Sequence, residues 1–301
     1  NFFKDPEKIP TRPINGQEDG PDYYDPLAGK GQPPPPTTTL ADCPIQEVKV
    51  GSEWFGVISA TKGTTWGPGN YYAVDANGIA TGNRLLIDQG VKFASEAGPT
   101  CWQGVPDHDG FGEYVFFGGV KLPSGKVTFE PGRYVFAGVK QDKGGAPGFL
   151  LDGRTQTYLD DLTALIPGTE GYPISQPNDD AGEIFIFTDT NYRGGAKSEI
   201  PLTIPTALEG IAAQLKFGIV DLHSGSASTK TEMNLHGLAA NGALPEGLEN
   251  FQPVVFWQDQ RNSTVKYTPD GWYSCGQEYG QFCADNRTIN YPDYTGGDPL
   301  V

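Results

Sequence analysis

The chain has 301 residues, enough for one large domain or two smaller ones. Its 41 glycines and 26 prolines argue against long helices, and 37% hydrophobic with only 19% charged residues argues against disorder throughout. A net charge of −16, from 21 basic and 37 acidic residues without a Lys/Arg run, excludes nucleic acid as the expected partner.

Residues 1–42 have almost no hydrophobic periodicity and contain four consecutive prolines, Pro33 to Pro36. Such a stretch favours extended polyproline II and buries too little apolar surface to order itself. Its apolar anchors are Phe2, Phe3, Ile9, Ile14, Tyr23, Tyr24 and Leu27. They make it an assembly arm, expected to dock on another copy of the chain or another subunit, with wrapping along its own body as the alternative. The opening NFFKDPEKIP has neither an initiator Met nor a signal-peptide pattern, so a chain processed during export is expected.

Residues 43–301 are expected to form an all-β domain, with a sub-boundary near 168–180. The phrases EVKVGSEWFGVISAT (47–61), NYYAVDANGIATGNRLLIDQGVKFAS (70–95), GEIFIFTDT (182–190) and QPVVFWQDQRNSTVKYT (252–268) are rich in Val, Ile, Phe, Tyr and Thr, and Gly, Asn, Asp or Pro bounds them. Helices are expected only at TYLDDLTALIPG (157–168) and TALEGIAAQL (206–215). No stretch approaches the roughly 18 apolar residues of a membrane-spanning helix.

One phrase occurs twice. Gly112-Glu113-Tyr114-Val115-Phe116 returns as Gly132-Arg133-Tyr134-Val135-Phe136, and after one skipped glycine Gly119-Val120-Lys121 returns as Gly138-Val139-Lys140. A coil of three strands of about five residues plus corners needs roughly 20 residues. The spacing therefore predicts a parallel β-helix (β-solenoid), with Tyr114 over Tyr134 and Phe116 over Phe136. A β-sandwich or jelly roll, with these strands antiparallel across KLPSGKVTFEPG, is the alternative.

Cys43, Cys101, Cys275 and Cys283 can pair in three ways and show no CxxC metal or redox spacing. Cys275 and Cys283 close a short loop, which leaves Cys43 to Cys101, and the even count points to an extracytoplasmic protein. DHDGFGE sets Asp107, Asp109 and Glu113 around a glycine turn, a candidate nucleus for calcium, although the twelve-residue calcium loop is absent. NDDAGE (178–183) is a weaker acidic turn. His108, His223 and His236 lack zinc spacing, and HSGSAS lacks a nucleophile elbow, so no other cofactor is expected.

Trp54, Trp66, Trp102, Trp257 and Trp272, with many carboxylates, keep a carbohydrate-active β-helix enzyme open as a rival. Such an enzyme needs two carboxylates roughly 5–10 Å apart across a cleft. The aromatics read more economically as core stacks and contact residues. Asn262-Ser263-Thr264 and Asn286-Arg287-Thr288 have the form of glycan acceptors, with meaning only in a eukaryotic secretory pathway.

Three patches in order resemble the Tad (tight-adherence) pilus-associated TadE/TadG-like proteins. Asp25, Pro26, Leu27, Ala28 and Cys43 fit a DPLA segment leading to a cysteine. Val127, Thr128, Pro131, Gly132, Tyr134, Val135 and Gly138 fit a V-T-L-x-P-G-x-Y-V phrase, and Gly182, Ile184, Ile186 and Phe187 fit a following strand. The patches lie along about half of the chain, with no family phrase in 190–301. The resemblance implies an extracellular, cell-surface, non-catalytic structural or adhesion subunit of a bacterial appendage, with its own copies, other subunits and surface carbohydrate as the expected partners. A monomeric extracellular binding module is the further alternative.

Overall fold

The computed structural model describes residues 30–62, 65–95, 111–122, 125–140, 149–151, 155–158, 182–195, 200–218, 220–221, 237–238, 244–252, 254–259, 264–266, 288–290 and 297–300. The chain is all-β, built on a curled, half-barrel mixed sheet. Its strands come in sets of three. The first set is β1 (Asp42–Val50), β2 (Glu53–Ile58) and β3 (Thr65–Trp66), and the second is β4 (Gly69–Val74), β5 (Leu85–Ile87) and β6 (Lys92–Phe93). The third is β7 (Gly112–Gly118), β8 (Val120–Leu122) and β9 (Gly125–Phe129), and the fourth is β10 (Gly132–Lys140), β11 (Phe149–Leu151) and β12 (Thr155–Tyr158).

Each strand pairs in parallel with its counterpart in the next set. β1, β4, β7, β10 and β13 (Glu183–Thr188) form one ladder. β2, β5, β8 and β11 form a second, and β3, β6, β9 and β12 a third. The antiparallel β1–β2 hairpin joins the first two ladders into one sheet of 13 strands. Parallel neighbours need a long crossover, and here the other two strands of each set supply it.

The duplicated phrase sits in adjacent parallel strands, with Tyr114 opposite Tyr134 and Phe116 opposite Phe136. The register shifts between Ala137 and Val139, so that Val139 lies opposite Gly118 and Gly138 is the extra residue. A sandwich hairpin pairs such strands antiparallel, so that alternative does not describe this segment.

The rings stack along the inside of the first ladder. Tyr114 and Tyr134 are 4.9 Å apart, Phe116 and Phe136 5.3 Å, and the stacks continue to Phe185 over Tyr134 at 5.2 Å and Phe187 over Phe136 at 4.9 Å. Phe93 and Phe129 of the third ladder stack on each other at 5.2 Å and meet the tyrosines edge-on. Ile58, Leu85, Ile87, Val120 and Leu122 of the second ladder complete this core. Each favourable ring pair adds about 0.5–1.5 kcal/mol beyond its buried area.

A second core lies on the other face of the first ladder. Val115, Phe117, Val135, Ala137, Ile184 and Ile186 point there and meet Leu202, Leu208, Leu248, Phe251 and Trp257. Strands buried on both faces read as continuous apolar runs, which is why GEYVFFG and EIFIFT hardly alternate. The segment after residue 190, without a recognisable phrase in sequence, supplies much of this cover.

TALEGIAAQL does not form the expected helix of about three turns. It makes two 3-10 turns, Thr206–Leu208 and Ala212–Gln214, with Gly210 between them. Of TYLDDLTALIPG, Thr157 and Tyr158 belong to β12 and the remainder lies outside the described residues. Among the described residues, no helix is long and apolar enough to cross a membrane.

The proline run lies against the body of its own chain. Gln32 to Pro36 and Leu40 are buried. Gln32 exchanges backbone hydrogen bonds with Gly195, the Tyr192 hydroxyl donates to the Pro33 carbonyl, and Arg133 Nη1 donates to the Pro34 carbonyl. Further along, Asn70 donates its side-chain amide to the Leu40 carbonyl (3.3 Å) and its backbone N–H to Ala41 (2.8 Å). The segment thus runs from the Tyr192–Gly195 turn past Arg133 on β10 to Asn70 on β4. Proline brings no N–H into the interior, so only its carbonyls need partners there. The approach is so close that a Cβ on Gly194 would collide with the Pro33 carbonyl oxygen. For Gln32 to Leu40 the observed packing is the alternative, wrapping along the chain itself. Phe2, Phe3, Ile9, Ile14, Tyr23, Tyr24 and Leu27 lie outside the described residues.

Candidate binding cleft

The β1–β2 hairpin turns through Gly51 and Ser52, with Gly51 at φ +64°, the sign that a two-residue hairpin loop requires. Its register sets Lys49 opposite Trp54, and the Lys49 ammonium lies 6.0 Å from the Trp54 ring centre. Trp54 is 52% exposed, whereas Trp66 and Trp257 are buried. Phe55 is buried on the opposite face of β2 from Ile58, with Arg84 5.5 Å and Lys121 5.8 Å from its ring centre.

Next to Trp54 lies an open cleft of about 220 Å³, lined by Ser52, Glu53, Trp54, Phe55, Gly82, Asn83, Arg84, Gly118 and Lys140. Residues far apart in sequence meet here because the parallel ladders stack the same corner of successive sets. Glu47 on β1 fastens the 81–84 corner, accepting from the Thr81 hydroxyl and from Asn83 Nδ2 (2.8 Å). Arg84 then reaches Glu53 at 3.2 Å, and Lys140 donates to the Thr81 carbonyl at 3.3 Å. Arg84 is largely covered while Glu53 is half exposed, so this bridge contributes little to stability. Arg84 and Lys140 line the cleft, while Lys49 lies by the Trp54 ring and Lys121 by the Phe55 ring. Among the described residues of the lining, Glu53 is the only carboxylate.

The residues expected from sequence to carry chemistry lie elsewhere. Glu113 is buried, and both its oxygens are taken by Arg133, at 2.8 Å from Nε and 2.6 Å from Nη2. It is therefore a structural partner, not a calcium ligand as expected; Asp107 and Asp109 lie outside the described residues. Among the described residues, no three His, Cys, Asp or Glu side chains converge as a metal site. Cys43 is buried and disulfide-bonded, while Cys101, Cys275 and Cys283 lie outside the described residues, as do His108, His223 and His236. The exposed Asp75 accepts from the Ile79 and Asn77 amides, which hold its pKa below the ordinary carboxylate value and define a turn.

Sequence reasoning named Trp54 among five tryptophans but missed Arg84, Lys121 and Lys140. The exposed tip of a short hairpin next to a Gly-Ser turn was the available signal. No protein-family model, curated protein or solved structure matches this chain.

Proposed function

We propose that this chain is a parallel β-solenoid acting outside the cytoplasm as a non-catalytic structural or adhesion subunit of a bacterial surface appendage. The observation that carries the reading is the in-register ring stack running through Tyr114, Tyr134 and Phe185. Such a spine makes a stiff body whose loops vary while the stacked strands repeat. The buried strap adds to the stiffness, and the disulfide at Cys43 favours an oxidising compartment. The ordered resemblance to Tad pilus-associated proteins supports the appendage context. In this reading residues 1–29, which precede the strap, carry the contact between subunits.

Negative-stain imaging and light scattering of the full chain, next to a chain lacking residues 1–29, test the proposal. The full chain is expected to assemble with rising concentration and the shortened one to stay dispersed. Isolated particles of the full chain at every concentration would remove the subunit reading. The cleft favours a second reading, a monomeric binding module, which that outcome would leave in place.

A further inference from the structure

We infer that the cleft beside Trp54 is a binding site for an acidic sugar, one ring lying against Trp54 with its carboxylate held by Arg84 and Lys140. The inference stands on the cleft alone and does not depend on whether the chain assembles. A half-exposed tryptophan at a hairpin tip contributes little to folding, because much of its apolar face remains in water. That face, next to cations, suits a ligand with one apolar surface and one anionic group.

Charge points the same way. The chain carries −16 overall, so an anionic polymer is repelled by most of its surface. Against that background, Arg84 and Lys140 line one cleft together with Trp54, and Lys49 lies by the Trp54 ring, opposed there by Glu53 and by Glu47 behind Asn83. Arginine offers a planar fork matched to a carboxylate, and lysine a mobile point charge. At about 220 Å³ the cleft is smaller than the roughly 300–1,000 Å³ of sites for drug-sized ligands. It therefore suits one sugar unit of a longer chain that continues into solvent. An acidic peptide supplies the charge without the flat apolar ring, so the saccharide fits the pairing of Trp54 with the cations better.

The test is calorimetric titration of the full chain with a hexuronic acid trisaccharide, its neutral hexose counterpart and an acidic peptide of equal charge. The acidic trisaccharide is expected to bind with a Kd on the order of 1 mM, weakening as salt rises. Trp54→Ala and Lys140→Gln are each expected to weaken it roughly tenfold, with the thermal transition unchanged. Trp54 is exposed, so its variant keeps the fold, and Lys140→Gln tests a second residue of the same lining. Equal binding of the neutral sugar or of the peptide overturns the assignment. So does unaltered affinity in both variants, or no saturable heat with the acidic sugar up to about 10 mM. Any of these outcomes leaves the scaffold proposal standing, because assembly is read separately.

Discussion

Tyr71, Tyr114 and Tyr134 carry hydroxyls into an aromatic interior, and each finds a backbone carbonyl at a corner. Tyr71 donates to Gly67, Tyr134 to Glu130, and Tyr114 lies within reach of both Ala94 (2.6 Å) and Trp66 (2.7 Å). Burial raises all three pKa values above 10.0; for Tyr134 the nearby Glu183 and Glu130 add to it. The phenols thus hold their protons in the folded chain, whereas in the unfolded chain they ionise near pH 10. Their contribution is fully present below about pH 10 and is lost as pH rises towards the folded pKa values, at about 1.4 kcal/mol per pH unit for each tyrosine. Urea midpoints are therefore expected to hold steady to about pH 10 and then to fall, and Tyr134→Phe should fall less steeply after an initial loss of about 1 kcal/mol. Equal slopes for the two proteins would mean that Tyr134 is not linked to unfolding. The phrase that places Tyr134 was legible in sequence, because PGRY repeats the pattern of GEY 20 residues earlier. The similar string Pro68-Gly69-Asn70-Tyr71 carries no such signal, because it sits two residues out of register, with Tyr71 opposite Phe116.

The strap is the element that sequence pattern misdirected. Four prolines in a polar stretch describe an extended segment correctly, but pattern alone cannot say what an extended segment lies against. Its hydrogen-bond donors, Arg133 and Tyr192, come 99 and 159 residues after the prolines they hold. The cleft was hidden for the same reason, since Trp54, Arg84 and Lys140 belong to different sets and meet only through parallel stacking. Arg133 is the strap's central fastening, because it joins the Pro34 carbonyl to the buried Glu113 carboxylate. Removing one partner of such a pair leaves an uncompensated buried charge, at a cost of about 3–5 kcal/mol. Arg133→Met is expected to lower stability by that amount in urea unfolding. Adding Glu113→Leu should recover most of it, leaving about 1–3 kcal/mol for the Pro34 carbonyl without its donor. A double variant no more stable than the single one would show that the carboxylate is not what makes Arg133 costly to lose.

At the scale of the whole molecule, a stack in which each set touches only its neighbours should unfold as a series of nearest-neighbour steps, fraying from its ends. The observed arrangement resists that. The strap joins the Tyr192–Gly195 turn, β10 and β4, the segment Leu215–Lys216 pairs with β10, and Leu202, Leu208 and Leu248 belong to the same outer cluster as residues from several strands of the first ladder. Sets distant along the stack are thereby tied to one another across their outer face. The inner and outer cores also share a single sheet, so neither can loosen without exposing one face of the same strands. One cooperative transition is expected as a result. Urea unfolding followed by near-ultraviolet circular dichroism, which senses ring packing in the aromatic interior, should give the same midpoint as far-ultraviolet circular dichroism, which senses the strands. Two separated midpoints, with ring packing lost before strand content, would mean that the outer layer and strap do not couple the sets and that the chain behaves as a stack of repeats.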